Sequence, residues 1–422
     1  MNYFCTYHII FFSSIALLAS NPLTTHALTL SLQECYQRAV RQSERLGISR
    51  EEIRAAEGRY QQAIATLVPK VVIRTGAQWQ DRPIFAFGAE PKETSTSLSL
   101  WIRQPLFNGF REFHAASAGR AEIRRRIFDE VRARQELYID IITLGRQILY
   151  YEKDLKLLAE MEQVLNRRVE DLKRRVELGQ SRPGELLQSK SEVANLRVTT
   201  QRIQGFLHAS RELMAFLIGL PASSWTLRDN WSWPRLEALE EYLKKTETRP
   251  DLLAAIEAER SARSLLKAKQ AETYPSINIE THIYLYEDPK APRDWNVFLS
   301  AALPIFDFIE IGGRVKEQKA ALQQSRLSLE RLRRTADQEV RTAFSNFNAL
   351  VAQIVELREA ERLAIENLKV QEEDYTLGRV TNLDVIDALR RKLDLQRQKI
   401  SAETEALIEY ERLHVAAGGS RL

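Results

Sequence analysis

Two periods of hydrophobicity alternate along this chain, and each occurs twice. The first is seven residues. Ile141, Ile148, Leu155, Glu162, Val169 and Val176 fall one heptad apart, with Leu144, Tyr151, Leu158, Leu165 and Leu172 three positions later. Val340, Phe347, Ile354, Glu361, Leu368 and Tyr375 repeat the pattern, accompanied by Ala343, Leu350, Leu357 and Ala364. Residues so spaced make an apolar seam along one helix face. A strict repeat of seven drifts on a straight helix, so these helices are predicted to supercoil left-handedly on their neighbours. One helix from Arg111 to Leu178 would run about 100 Å at 1.5 Å per residue, far beyond a globular core. Glu162 and Glu361 interrupt the seams and are read as solvent-facing.

The second period is two. Ile277, Ile279, Thr281, Ile283 and Leu285 share one face, and Asn278, Glu280, His282, Tyr284 and Tyr286 the other. After Trp295, the residues Val297, Leu299, Ala301 and Leu303 alternate with Asn296, Phe298 and Ser300. Earlier, Val71, Ile73, Thr75, Ala77 and Trp79 form one such segment; in another, Leu98, Leu100 and Ile102 are set against Ser97, Ser99 and Trp101. Four strands of about ten residues are predicted, each long enough to cross a bilayer when tilted. A soluble four-stranded sheet would read the same way. Trp79, Trp101, Tyr284, Tyr286 and Trp295 near the segment ends favour the membrane, as an interfacial girdle. No segment after the N-terminus approaches the roughly 20 apolar residues of a membrane-spanning helix.

The two halves are copies. Adding 199 maps Pro105 onto Pro304, Gly179 onto Gly378, Glu185 onto Asp384 and the first seam onto the second, including Glu162 onto Glu361. Upstream of the strands the offset is 206, taking Leu46 to Leu252 and Pro69 to Pro275. The stretch from Pro304 to Arg314 reads as four residues longer than that from Pro105 to Arg111, an extra turn through Phe308 to Ile311. Each half is predicted to be helix, strand, loop, strand, very long helix, tight turn and return helix. The division is a segment 1–27, a first repeat 28–219, an irregular connector 220–248 holding Trp225, Trp231, Trp233 and Pro234, a second repeat 249–417 and a tail 418–422.

Composition narrows this picture. Of 422 residues 44% are apolar and 28% charged, which excludes a disordered chain, and the scarcity of turn formers (Gly 16, Pro 13) agrees with long helices. The 61 basic and 57 acidic residues are interspersed. With no cluster of basic and aromatic residues to stack bases, nucleic acid is not a predicted partner. Ile9–Ala19 has the length of a signal-peptide core, and Thr25-His26-Ala27 supplies a small residue before a cut, so a signal peptide 1–27 is predicted, although no Lys or Arg precedes the core. Removing it leaves Cys35 as the one thiol, and Leu32-Gln33-Glu34 before it lacks the small residues of a lipidation signal. Four amphipathic strands cannot close a membrane barrel, because the smallest have about eight, so the chain is predicted to oligomerise.

Several motifs resemble the TolC family of outer-membrane efflux channels. They are a first helix opening with Leu30-Ser31-Leu32-Gln33 and ending in Leu67-Val68-Pro69-Lys70, the strand exits Gln104-Pro105-Leu106-Phe107-Asn108-Gly109 and Leu303-Pro304-Ile305-Phe306-Asp307, and the tip from Tyr375 through Gly378 to Asp384 and Asp387. The likeness covers residues 28 to about 417. It implies a mainly α fold with a membrane β-barrel portion: a homotrimer, a twelve-stranded barrel in the outer membrane, and coiled-coil hairpins forming a periplasmic tunnel. It further implies docking on a periplasmic adaptor and an inner-membrane transporter, as the exit duct of a tripartite efflux or type I secretion system. The family's entrance aspartates match Asp384 and Asp387, and its tyrosine before the turn matches Tyr375. A basic residue that latches the entrance in the best-known member is Val380 here, with Arg379 beside it.

Independently of the resemblance, carboxylates repeated around a narrow axis concentrate negative potential and favour cations. An acid just past a turn also suits helix capping, so Asp384 and Asp387 are read both as a ring and as caps. Glu185, in the other hairpin, is the weaker ring candidate. Gly179 and Gly378 end long helices where a left-handed residue is wanted, and the pairs Leu178-Gly179 and Leu377-Gly378, with Arg379, present two similar docking tips. An enzyme is not predicted. The histidines are scattered, Gly312-Gly313 lacks the Lys and Ser or Thr of a phosphate loop, and no cofactor is expected. A periplasmic coiled-coil adaptor is the rival reading, but it calls for one hairpin and a lipoyl-like domain.

Overall fold

Each heptad seam folds into one uninterrupted helix. The computed structural model describes residues 28–84, 92–229, 233, 235–288 and 294–419. The predicted signal peptide, Trp231, Pro234 and the last three residues of the tail lie outside them. In chain order the elements are β1 (Leu28–Leu30), α1 (Leu32–Gln42), α2 (Glu44–Ala65), β2 (Lys70–Ile84), β3 (Lys92–Asn108), α3 (Arg111–Glu177), α4 (Pro183–Ile218) and β4 (Trp225–Leu227). They continue with α5 (Leu239–Lys245), α6 (Pro250–Gln270), β5 (Ser276–Asp288), β6 (Trp295–Ala302), α7 (Phe308–Thr376) and α8 (Asn382–Ala416). At 67 and 69 residues, α3 and α7 are each about 100 Å long.

The seams are buried as the spacing requires. Ile141, Ile148, Leu158 and Leu165 are fully buried on α3, and Val340, Phe347 and Ile354 nearly so on α7. Leu158 and Leu165 share a core with Leu368, Val385 and Leu389, so the two hairpins pack on each other as well as on themselves. Glu162 and Glu361 are not the solvent-facing interruptions expected. Glu162 accepts from Arg197 Nε (2.7 Å), and its counterpart Glu361 accepts from Gln396 Nε2 (3.1 Å) and pairs with Lys399. Both contacts tie the outgoing helix to its return helix at the same place in the repeat, and a single polar position within an apolar seam fixes register. Burial pushes the Glu361 carboxyl up, but Lys399 and Gln396 outweigh it and hold the group below its usual value.

The predicted extra turn also needs correcting. Both long helices end 199 residues apart, at Glu177 and Thr376, while α7 starts two residues before the counterpart of Arg111. Nothing is inserted; Phe308 to Ile311 form an earlier first turn. The single first helix is in fact broken at Ser43, whose extended backbone and hydroxyl cap the Leu46 N–H (3.3 Å) and start α2. A pairing not foreseen is the parallel β1–β4 ladder, which fastens the start of the first repeat to the connector beside fully buried Trp225.

All four predicted strands form one antiparallel sheet in the order β2-β3-β5-β6. The register aligns their apolar faces: Ile73 lies across from Leu100, Leu100 from Ile283, and Ile283 from Trp295. One row further on, Ile102, Thr281 and Val297 align in the same way. That face is bare, with Val71, Ile73, Val297 and Leu299 each more than half exposed. Two details differ from simple alternation. A bulge between Leu98 and Ser99 leaves Leu285 unpaired and sets Tyr286 across from Leu98, on the apolar side. Trp101 and Tyr284 are not girdle residues. They belong to the polar face, where Trp101 is 8% exposed and donates to Glu280 (3.2 Å), whereas Trp79, Tyr286 and Trp295 stay on the apolar face.

One buried ion pair locks the two repeats together, and a second ties the second repeat to itself. Asp154 on α3 is fully buried and takes both Nε (2.6 Å) and Nη2 (2.9 Å) of Arg397 on α8. Arg249, 1% exposed, grips Asp251 by two bonds and also donates to Glu339 (2.8 Å) and the Ala416 carbonyl (3.0 Å), which holds the end of α8. Breaking a buried pair on one side costs more than replacing both partners. Asp154→Ala is therefore expected to destabilise by about 3 kcal/mol and lower the thermal midpoint followed by circular dichroism, while Asp154→Leu with Arg397→Leu lowers it less. Equal losses in the two variants would show that the pair contributes only its volume.

Candidate functional site

The hairpin tips bring most of the predicted site residues together. Both long helices end in the same cap: Gly179 donates to the Val176 carbonyl and Gln180 to Arg175, and Gly378 donates to Tyr375 and Arg379 to Asp374. This is a Schellman closure, and it demands a left-handed residue; φ is +72° at Gly179 and +70° at Gly378. The caps throw Leu178 and Leu377 into solvent, 71% and 63% exposed. Arg379, beside the position where the resemblance implied a latch, pairs with Asp374 of its own tip (3.2 Å).

Asp384 is a cap in this chain. It accepts from the Thr381 N–H (2.8 Å) and hydroxyl (2.6 Å), closing a capping box at the start of α8. Glu185, its repeat counterpart, accepts from the Ser181 hydroxyl (2.7 Å). Asp387, three residues after Asp384, is exposed and 3.3 Å from Arg390. Arg390 in turn holds Glu192 of α4 through two contacts, one of 2.7 Å, so the face bearing Asp387 is tied to the first hairpin.

Tyr375 is half-buried under cations of the other hairpin, with the Arg168 guanidinium 4.0 Å and that of Arg175 5.3 Å from the ring centre. Sequence reasoning missed the residue that organises this end. Asn382 is fully buried, accepts from Arg168 Nε (2.8 Å) and donates to Ser189 Oγ (2.9 Å), joining α3, α4 and α8 at one point. Its position as the first residue of a helix after a turn was visible; that both its polar atoms face a second hairpin was not.

At the opposite end, where strands meet helices, lies a cavity of about 1100 Å³ bordered by Lys70, Arg103, Arg111, Glu112, Glu272 and Arg314. Arg111 pairs with Glu112 (3.3 Å) and Arg314 with Glu272 (3.3 Å). Among the described residues no group of His, Cys, Asp and Glu could hold a metal ion, and no helix is long and apolar enough to cross a membrane. Burial pushes the Cys35 thiol up to about 11, which disfavours the thiolate.

The Thr381 hydroxyl and N–H hold the Asp384 carboxyl below the usual range. A depressed value contributes stability above the ordinary carboxylate range that is lost as pH falls through the lowered one. Carbon-13 titration of Asp384 is expected to give a value under that of an ordinary aspartate and to rise in Thr381→Ala. An unchanged titration would mean that the capping box does not form in solution.

The sequence profile of the outer membrane efflux protein family matches residues 35–220 and 244–419. Outer membrane protein TolC of Salmonella enteritidis is 25% identical over 197 residues, covering 43% of this chain and 40% of that protein. The match thus spans well under half the length of this relative. The fold is shared far more widely. A membrane protein from Pseudomonas aeruginosa superposes with a TM-score of 0.85 at 19% identity, over 99% of this chain and 98% of that one. The outer membrane protein VceC of Vibrio cholerae gives 0.84 at 21% identity, over 92% and 96%.

Proposed function

Because the chain belongs to the outer membrane efflux protein family, we propose that it is the outer-membrane exit duct of a tripartite efflux or type I secretion assembly. The observation that carries this reading is the four-stranded sheet, whose edge strands β2 and β6 have no further partner among the described residues and whose apolar face is bare. Unpaired strand edges are untenable in lipid. Three copies supply twelve strands and close them, with the apolar face toward lipid and the polar face lining the duct. The helices of three chains then continue the barrel as a tunnel across the periplasm.

In this reading the tips are the contact with the rest of the assembly. Leu178-Gly179 with Glu185, and Leu377-Gly378 with Arg379, meet a periplasmic adaptor, which connects the duct to an inner-membrane transporter. Asp384 and Asp387 form rings at the periplasmic entrance, Asp384 while also capping its own helix, since an exposed carboxylate can serve both. Tyr375, held by Arg168 and Arg175, keeps that end against the first hairpin.

Two measurements test the proposal. The mature chain in mild detergent is expected to sediment as a trimer; a monomer with full helical circular dichroism would overturn the barrel. In planar bilayers, Asp384→Ala with Asp387→Ala is expected to weaken block by multivalent cations, and replacing Glu185 to do less. If the double variant inserts and both block and cation selectivity are untouched, these acids form no ring and serve only their local contacts.

A further inference from the structure

The polar face of the sheet carries more chemistry than a passive wall requires. The Arg74 guanidinium lies over the Trp101 indole, its carbon 3.7 Å from the ring centre. Trp101 is followed by His282, ring centres 6.4 Å apart, and His282 stacks on Tyr284 at 6.3 Å and 20°. The three rings and the guanidinium thus form one continuous track across β2, β3 and β5. It is held in place from the side: Glu280 accepts from the Trp101 N–H (3.2 Å) and lies 3.4 Å from Arg103, and Asn296 donates to the Tyr284 oxygen (3.3 Å).

The charge around this track is not balanced. Lys70, Arg74 and Arg103 face the same side as Glu280, because Lys70 lies across from Arg103 and Arg103 from Glu280, with Arg74 in the same alternation. Glu280 is already shared between Arg103 and Trp101, and neither Lys70 nor Arg74 has a carboxylate partner among the described residues. Glu287, the next acid on this face, lies across from Ser97, one row beyond Arg74. At the junction below, by contrast, Arg111 and Arg314 each have their acid.

We propose that this track is a contact site for planar aromatic anions passing through the duct, repeated three times around the lumen. A flat ring stacks on His282 and Tyr284, whose side chains are partly exposed, and its sulfonate or carboxylate meets Arg74, with Lys70 adding field. An aromatic cation finds the same rings but an unneutralised guanidinium beside them. The inference rests on the exit-duct reading for its trimer and lumen, and the test separates the two.

The probe is naphthalene-1,5-disulfonate added from the extracellular side of trimers in a planar bilayer, with sulfate as the non-aromatic control. Wild type is expected to be blocked by the disulfonate at a concentration about tenfold below that for sulfate, the worth of one good stacking contact. Arg74→Gln is expected to raise the half-blocking concentration of both anions about tenfold, by loss of a charge-assisted bond. His282→Leu with Tyr284→Leu removes the preference for the disulfonate and leaves sulfate block in place. Equal block of wild type by the two anions, or unchanged block in a conducting Arg74→Gln trimer, overturns the site. If Arg74→Gln does not assemble, Lys70→Gln, exposed and unpaired, shifts block in the same direction or the proposal fails. Disulfonate quenching of tryptophan fluorescence in detergent, lost in Trp101→Phe, reads the site without conductance. Absence of trimers or of channels in wild type overturns the duct itself.

Discussion

The constraint on which the rest depends is that a strand edge in lipid must find a partner. Among the described residues the sheet ends after four strands, leaving the outer edges of β2 and β6 open. Everything below the sheet is compatible with closure by copies of itself. Each strand pair feeds a helix of about 100 Å through a short corner, so the helices inherit the spacing of the strands. The repeat doubles the arrangement within one chain and halves the number of different junctions that have to be built.

Long helices create a second problem, which is register. An apolar seam of leucines and valines tolerates a slip of one heptad at modest cost, because every seven residues the same surface returns. The chain adds polar contacts to the seam, each joining one position of a helix to one position of another. Glu162–Arg197 and Glu361–Gln396 pin each hairpin internally, and Asp154–Arg397 pins one hairpin against the other. Asn382 then fixes the tip, where the helices would otherwise fray. These groups need not add net stability to be useful. A buried charge left without its partner penalises the alignment that separates them.

Periodicity made the architecture legible. The heptads located α3 to within a residue and the seam of α7 though not its start, and alternation put Ile73, Leu100, Ile283 and Val297 on one face, which the register repeats. What was hidden depended on partners distant in sequence. Glu162 and Glu361 looked like exposed interruptions because Arg197 and Lys399 belong to the return helices, 35 and 38 residues on. Trp101 looked like a girdle residue because its aromatic character was visible and its partner Glu280, 179 positions away, was not. The Leu285 bulge changed the side of Tyr286, since one extra residue reverses the alternation beyond it. The tip acids were legible by position, and Asp384's capping partner Thr381 is local enough to have been read directly.

Duplication sets the geometry of the tips but not their charge, and here the two copies have parted. In the 25 residues from 163 to 187 there are six basic and four acidic side chains, with Arg167, Lys173 and Arg174 exposed. In the matching 25 from 362 to 386 there are three basic and five acidic, with Glu366, Glu372 and Glu373 exposed. The caps are alike, with the same left-handed glycine and the same exposed leucine, yet their surroundings are opposite in sign. Within the chain this difference is already in use, since Tyr375 of the acidic tip sits beneath Arg168 and Arg175 of the basic one. Charges of one sign on one hairpin and the other sign on its neighbour attract side by side, while two like tips brought together would repel. Alternation of unlike tips therefore favours one order of hairpins, and divergence after duplication supplies a discrimination that two identical copies could not provide.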